Sequence, residues 1–167
     1  MKLRPLFLAA ACAALTACSQ GGDSGSAPSS GASAPASAPT PPKDAEAIKT
    51  ALAALPAPYN EADYENGRRK FGLCRSCHTI EAGGPNMTGP NLHGVFGRNA
   101  AAVEGYNYSD VLKASDITWG PEPLNEWLTK PQEFLPGNKM TFVGLKDPND
   151  RRDVIAYLMV ETATTAE

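Results

Sequence analysis

Apolar side chains recur at helical spacing in four stretches of this 167-residue chain. The best-marked helix is the last, where Asp147 and Pro148 form a start signal in front of the apolar residues within 154–159. Two shorter helices are predicted at 44–55 and 122–130, each followed at once by a proline that cannot continue a helix. Each of these helices has an apolar face, which needs a partner to pack against.

A fourth helix is predicted to begin near Asn60, with acidic residues in its first turns, and to carry Cys74 and Cys77 at its end. Gly67 and Phe71 are four residues apart and therefore share one face of this helix. A glycine inside a helix costs about 0.5–1 kcal/mol, and a close crossing with a second helix would explain it. No run alternates between apolar and polar residues, and the chain holds 15 glycines and 15 prolines. The pattern predicts an all-α fold of short helices joined by long loops.

The N-terminus has the pattern of an export signal. Two basic residues precede an apolar run at 6–15, which is too short to cross a bilayer as a helix. The tetrad Leu15-Thr16-Ala17-Cys18 follows and resembles a bacterial lipobox, in which the cysteine becomes the lipidated first residue of the mature protein. We therefore predict a lipoprotein signal peptide at 1–17 and a lipid anchor on Cys18. An ordinary signal peptide with a fortuitous cysteine is the alternative, and Cys12 is the weaker lipidation candidate.

A tether and one globular domain account for the rest of the chain. Residues 18–42 are, after the cysteine, almost entirely Ser, Gly, Ala and Pro, so they cannot bury apolar surface and are predicted to be a flexible tether. Residues 43–59 are predicted to be a helical extension, and 60–167 a single domain. Over 43–167, 17 acidic and 13 basic residues give a formal charge of −4. No basic patch indicates nucleic-acid binding, and we expect a monomer.

The chemistry of the chain is concentrated in Cys74-Arg75-Ser76-Cys77-His78. Cys-x-x-Cys-His is the attachment site of a c-type haem, because two thiols one turn apart can each add to a vinyl group while the next imidazole lies under the iron. A thioredoxin-like dithiol would need a preceding strand, and half of a zinc site would need a second pair of ligands. The other cysteines, Cys12 and Cys18, lie in a segment that is predicted to be removed or modified, and His93 is the only other histidine. The motif predicts one covalent haem c, with His78 bound to its iron.

The function depends on the sixth position of that iron. An open position suits the binding of oxygen or peroxide, whereas a second strong protein ligand leaves only electron transfer. The candidates are Met87, His93, Met140 and Met159. The first two follow His78 too closely to reach the opposite face, and Met159 is already explained as core of the last helix. Met140 ends a loop rich in turn residues and is predicted to bind through its sulfur.

Further side chains are predicted to surround the haem. The second ring nitrogen of His78 needs an acceptor, and the carbonyl of Pro90 lies at a suitable distance along the chain. Buried propionates need donors, and Tyr and Trp commonly place one polar atom at the edge of an apolar site. The candidates for this role are Arg98, Tyr106, Tyr108 and Trp119.

Six stretches and the attachment motif together carry a family resemblance. They are Gly67-x-x-x-Phe71, Cys74-x-x-Cys77-His78-Thr79, Thr88-Gly89-Pro90-Asn91-Leu92-His93-Gly94-Val95-Phe96-Gly97-Arg98, Gly105-Tyr106-x-Tyr108-x-Asp110, Ile117-Thr118-Trp119-Gly120, Pro136-Gly137-x-Lys139-Met140 and Asp153-x-Ile155-Ala156-Tyr157-Leu158. Over these stretches the chain resembles class I c-type cytochromes of the mitochondrial and short bacterial kind. The resemblance implies the cytochrome c fold, in which the Gly67 face crosses the Tyr157 face. It also implies the axial ligands His78 and Met140, and propionate contacts from Arg98, Tyr108 and Trp119.

Three residues depart from the usual pattern of that family. Trp127 stands where a tyrosine is usual whose hydroxyl lies near the ligand sulfur, Leu112 where asparagine is common, and Asn138 where threonine is common. These departures predict a thinner polar network on the Met140 side of the haem. The ring of lysines typical of the mitochondrial proteins is also sparse, so a strongly acidic docking site on the partner is not implied.

These features together predict a membrane-tethered periplasmic electron carrier. It would pass single electrons from a quinol-oxidising complex of the respiratory chain to a terminal oxidase or reductase. Two alternatives remain open at this point. One is a peroxidase-like haem enzyme, which would require a labile Met140, and the other is a fixed haem subunit of a larger redox complex.

Overall fold

The computed structural model describes residues 44–163, so the predicted signal peptide, the tether and the lipid anchor on Cys18 lie outside the described residues. Its helices are α1 (Ala45–Ala53), α2 (Tyr64–Phe71), α3 (Asp110–Lys113), α4 (Pro121–Thr129), α5 (Pro131–Phe134) and α6 (Pro148–Glu161), with a 3₁₀ turn at Tyr59–Glu61. Within 44–163 the β-type pairing is limited to one bridge, between Asn99 and Thr118. None of these helices combines the length and apolarity that a bilayer crossing requires. The predicted all-α fold is confirmed.

Helix α1 is the helical extension, and it packs on the domain. The Asp44 carboxylate accepts the N–H of Ala47 at 2.7 Å and so caps the helix as the sequence predicts. Leu52 and Leu55 are partly buried against the core, and the helix contacts α6 and the 3₁₀ turn, where Tyr59 is buried. Helix α1 is therefore part of the packed domain within the described residues.

Helix α2 differs from its predicted bounds at both ends. It begins only at Tyr64, because the Asp63 carboxylate accepts the N–H of Asn66 at 2.9 Å and caps the helix there. It ends at Phe71, beyond which the chain continues in tight turns whose N–H groups donate mostly three residues back, as from Cys74 to Phe71 at 2.8 Å. The expectation that this helix starts near residue 60 and carries both cysteines at its end is wrong.

The crossing of α2 over α6 is close enough to require a glycine. A Cβ atom added to Gly67 would lie 2.1 Å from the carbonyl oxygen of Asp153 and 2.9 Å from the Cβ of Tyr157. One turn further along α2, the rings of Phe71 and Tyr157 lie 5.3 Å apart. The close crossing that the sequence predicts is confirmed, and it fixes where the chain leaves α2 toward the cysteines.

A buried carboxylate ties the start of α2 to α6. Asp153 accepts the backbone N–H of Asp63 at 3.1 Å, the amide of Asn66 at 2.8 Å and the guanidinium of Arg152 at 2.8 Å. A buried charge is tolerated when its lone pairs are satisfied in this way. The network therefore sets the register of the two helices.

Helix α6 is the central element of the domain. Val154, Ile155 and Ala156 have no exposed surface, and α1, α2 and α4 all contact this helix. Helix α4 contributes buried Leu124, Trp127 and Leu128, as predicted for its inward face. These helices form a firm apolar frame on which the loops that carry the cysteines and Met140 are mounted.

Candidate haem-binding site

A cavity of about 560 Å³ lies among α3, α4, α6 and the loops that follow α2 and α5. Its volume is within the ~300–1,000 Å³ typical of small-molecule and cofactor sites. All nine residues that the sequence predicts for the haem line this one cavity. They are Cys74, Cys77, His78, Pro90, Arg98, Tyr106, Tyr108, Trp119 and Met140. Much of the remaining wall is aliphatic, supplied by Leu92, Val95, Leu112, Leu124, Leu128, Val154 and Leu158.

The two cysteines are free thiols in consecutive turns after α2. The N–H of Cys77 donates to the carbonyl of Cys74 at 3.0 Å, and the N–H of His78 donates to the same carbonyl at 2.9 Å. Burial, with a smaller contribution from Cys77, raises the pKa of the Cys74 thiol to about 11. This apolar setting suits a sulfur that ends as a neutral thioether rather than as a thiolate.

His78 is held by the loop that faces it. Its Nδ1 lies 2.7 Å from the carbonyl oxygen of Pro90, which can only accept, so Nδ1 carries the proton and Nε2 keeps its lone pair for a metal. Burial lowers the pKa of the imidazole, a shift that the bond to Pro90 opposes, so the neutral form that binds a metal is favoured. A Cβ atom at Gly89 would lie 2.3–2.7 Å from three atoms of this ring. The backbone at Gly89 therefore forms a close cradle for the imidazole.

Among the four candidates for the sixth ligand, Met140 is the one that lines the cavity. Met87 is 47% exposed, and Met159 lines a separate small cavity beside α6. His93 has its Nδ1 3.3 Å from the carbonyl oxygen of Ile80. Met140 itself is partly buried against the core. The cavity therefore combines His78 and Met140, which lie far apart in the sequence.

Among the predicted propionate donors, Arg98 and Tyr106 already donate hydrogen bonds to groups within the protein. Arg98 donates to the carbonyls of His93 at 2.9 Å and Asn91 at 3.0 Å, so its guanidinium also braces the loop after His78. Burial lowers the pKa of this guanidinium but leaves it charged. The hydroxyl of Tyr106 already donates to the carbonyl of Thr88, so its one proton is used within the protein. Its ring packs edge-on against Tyr108 at 4.6 Å and contributes to the wall.

Ser109 is a cavity residue that sequence reasoning missed. It is 6% exposed, and within 44–163 its Oγ is the one buried side-chain oxygen or nitrogen without a hydrogen-bond partner. A buried orphan hydroxyl costs about 1–3 kcal/mol unless a ligand satisfies it. Its position in the sequence, directly after Tyr108 and before α3, was the available signal. An unsatisfied hydroxyl in an apolar cavity fits a ligand that has a large apolar ring and carboxylate substituents. Haem, with its porphyrin and two propionates, is such a ligand.

The family model described as Cytochrome c matches residues 64–160, more than half of the chain. The chain belongs to the cytochrome c family. It is 42% identical over 106 residues to the cytochrome c of Kluyveromyces lactis, an alignment that covers 63% of this chain and 96% of that protein. It is 45% identical over 103 residues to that of Arabidopsis thaliana, with 61% and 92% covered. It is 48% identical over 101 residues to that of Gibberella zeae, with 60% and 95% covered.

Membership of the cytochrome c family implies one covalently attached haem c with its iron, and it supports the function of a monohaem electron carrier. The residues that line the cavity fit this group. Two thiols stand in consecutive turns, an imidazole with a free Nε2 adjoins them, and a thioether lines the same cavity.

The three residues that depart from the usual family pattern play different parts on the Met140 side of this cytochrome c, where a thinner polar network is predicted. Trp127 packs edge-on against Trp119 at 5.4 Å and against Phe134 at 5.9 Å. Asn138, however, is buried, and its Oδ1 accepts the N–H of Met140 at 2.8 Å. Asn138 therefore contributes polar contacts of its own on this side, because an amide side chain offers more donors and acceptors than a hydroxyl does.

Proposed function

We propose that this cytochrome c is a membrane-tethered electron carrier of the bacterial periplasm. Its haem would be fastened through Cys74 and Cys77, with His78 and Met140 as the axial ligands of the iron. The observation that carries the proposal is that a metal-ready imidazole and a thioether, far apart in the sequence, line the same apolar cavity.

The residues around the cavity favour simple electron exchange. When bound, the haem iron takes up and releases one electron, and with two protein ligands no position is open for oxygen or peroxide. His78 is fixed by the Pro90 carbonyl, and much of the wall around both axial groups is aliphatic. A carrier of this kind changes charge with little rearrangement of the protein. The largely apolar wall also favours the less charged, reduced state of the site.

The tether supplies the second part of the proposal. The segment between Cys18 and Asp44 has the composition of a flexible chain, and about 24 such residues span roughly 25–30 Å. Because α1 packs on the domain, the flexible part would end there, and the domain would move as one body above the membrane. Tethering raises the effective concentration of the haem domain near membrane-bound partners. The partners we propose are a quinol-oxidising complex and a terminal oxidase or reductase.

The ligand assignment is tested by absorption spectroscopy of the purified holoprotein. The oxidised wild type is expected to show the near-infrared charge-transfer band of a thioether–iron bond, and Met140→Ala is expected to lose it. Met159→Ala is the matched control and should keep the band, because Met159 lies outside this cavity. A band that persists in Met140→Ala would overturn the assignment. Rapid carbon monoxide binding or peroxide turnover by the native protein would favour the peroxidase-like alternative instead.

The anchor is tested by fractionation of cells that express the full chain. Haem absorption is expected in the membrane fraction for the wild type and for Cys12→Ala, and in the soluble periplasmic fraction for Cys18→Ala. Mass spectrometry of the mature N-terminus should find an acylated cysteine. Membrane retention of the Cys18→Ala haem domain would refute the lipid anchor. Co-purification with one complex at a constant ratio would favour a fixed subunit over a mobile carrier.

A further inference from the structure

We propose that Asn138 and Gln132 form an amide clamp on the backbone of Met140 and are positioning residues that determine how firmly its sulfur holds the iron. The proposal rests on the assignment of Met140 as the sixth ligand. It adds a specific device on the side of the haem where the chain departs from the usual family pattern.

The first half of the clamp is the buried side chain of Asn138, which is 8% exposed. Its Nδ2 donates to the carbonyls of Pro131 at 2.8 Å and Leu135 at 2.7 Å. Its Oδ1 accepts the N–H of Met140 at 2.8 Å. One side chain thus joins α5 to the backbone of the ligand residue, and each of its polar atoms has a partner.

The second half is Gln132, an exposed residue of α5. Its Nε2 donates to the carbonyl of Met140 at 2.7 Å, to the carbonyl of Asn138 at 3.1 Å and to the Oδ1 of Asn138 at 3.2 Å. Both backbone polar groups of Met140 are therefore held by side-chain amides, one from each member of the clamp.

The physical reason for such a device is the flexibility of the ligand. Methionine has three rotatable bonds, and its thioether is a weak ligand for a metal. The loop must therefore hold the sulfur in the right place without a large loss of conformational entropy when the bond to iron forms. Fixing the N–H and the C=O of Met140 defines the origin of its side chain before any bond to iron forms. The rings of Trp127 and Phe134 pack edge-on against each other at 5.9 Å, which is an apolar contact and not a hydrogen bond to Met140. The N–H and the C=O of Met140 itself are held by the two amides, while its neighbour Lys139 ties the loop to Asn107 and Tyr108.

The test compares small-ligand binding in oxidised holoprotein variants. Imidazole reaches the iron only when the protein ligand leaves, so its binding rate reports how often Met140 is released. A net hydrogen bond of about 1 kcal/mol corresponds to roughly a fivefold change. We expect about a tenfold faster rate in Asn138→Ala, which loses several bonds, and about a threefold faster rate in Gln132→Leu. The thioether–iron band should weaken at a lower denaturant concentration in both.

Two controls separate positioning from general stability. Ile155→Ala removes a fully buried side chain of α6 that does not line the haem cavity, so it should lower the unfolding midpoint while leaving the imidazole rate within about twofold of wild type. Asn149→Ala makes the same chemical change as Asn138→Ala at an exposed site. If Asn138→Ala does not accumulate, Gln132→Leu at its exposed position decides the question.

Wild-type imidazole rates in both clamp variants would overturn the clamp, and so would an equal acceleration in Ile155→Ala. Failure of the underlying ligand assignment looks different. In that case Met140→Ala itself would keep the thioether–iron band. A protein in which the band requires Met140, and in which only the clamp variants bind imidazole faster, supports the proposal.

Discussion

Gly67→Ala is the sharpest test of how this fold is held together. The added Cβ would stand 2.1 Å from the carbonyl oxygen of Asp153, against about 3.4 Å for ordinary contact. Because the obstructing atom belongs to the backbone of α6, no change of rotamer relieves the clash, and the two helices must move apart by roughly 1 Å. The perturbation therefore acts on the crossing itself.

The expected loss in the free energy of unfolding follows from the packing and the hydrogen bonds that this displacement disturbs. Overpacking of a dense contact costs about 1–3 kcal/mol. The bonds from Asp63 and Asn66 to the buried carboxylate of Asp153, at 3.1 and 2.8 Å, would stretch at a further cost of about 1 kcal/mol each. Alanine recovers about 0.5–1 kcal/mol through its better helix propensity. We expect a net loss of about 3 kcal/mol, a large share of the ~5–15 kcal/mol that stabilises a typical domain.

The assay is guanidinium unfolding of the holoprotein, followed by far-ultraviolet circular dichroism. A loss of about 3 kcal/mol lowers the midpoint by roughly 1 M at the m-values usual for a domain of this size. Gly120→Ala is the matched control, because a Cβ there meets nothing closer than 3.8 Å, and we expect it to cost less than about 1 kcal/mol. Equal midpoints for Gly67→Ala and Gly120→Ala would refute the account of the crossing.

Three further outcomes are expected. Gly89→Ala places a Cβ 2.3–2.7 Å from the His78 ring, so the yield of haem per polypeptide, measured as the pyridine haemochrome, should fall severalfold. Ser109→Ala should lower the stability of the holoprotein by about 1 kcal/mol if its orphan hydroxyl serves the haem, whereas a neutral or stabilising effect on thermal unfolding would show that it does not. Hydrogen bonding to Lys70 lowers the pKa of Asp150 below its ordinary 3.8, so the contribution of this carboxylate is present above that value and is lost as the pH falls through the folded-state pKa. Asp150→Asn should therefore lower the free energy of unfolding by about 0.5 kcal/mol at pH 7, and its unfolding midpoint should approach that of the wild type in acid. A difference in midpoint that does not change with pH would contradict this account.

Local signals in the sequence located the parts of the fold that depend on neighbouring residues. The Asp147 and Pro148 pair marks the start of α6 because capping and the missing proline N–H act within one turn. The attachment motif needs only five consecutive residues, and its two thiols and imidazole line one cavity in the structure. Gly67 predicted a close crossing because a glycine in a helix has a cost that some contact must explain.

Features that depend on distant parts of the chain escaped the same reasoning. The true start of α2 is fixed by Asp63, whose own N–H donates to Asp153 about ninety residues later. Ser109 follows a predicted haem contact in the sequence, but only the folded cavity shows that its hydroxyl has no partner. Asn138 can brace the loop because its amide reaches the carbonyls of Pro131 and Leu135, at the start and just after the end of α5, and a comparison of residue types at one position does not reveal these partners.

The two axial sides of the cavity are built by different means, and this predicts how each side fails. On the His78 side, a backbone carbonyl and a bare glycine backbone hold the ring itself, so damage to this hold comes mainly from adding atoms. On the Met140 side, the amides of Asn138 and Gln132 hold the backbone, so damage comes from removing atoms. Substitutions that add bulk on the His78 side should therefore impair haem attachment. Truncations on the Met140 side should instead weaken the bond between the iron and the sulfur after the haem has been attached. The strength of the sulfur bond can thus vary through surface-accessible Gln132 without disturbing the attachment of the haem.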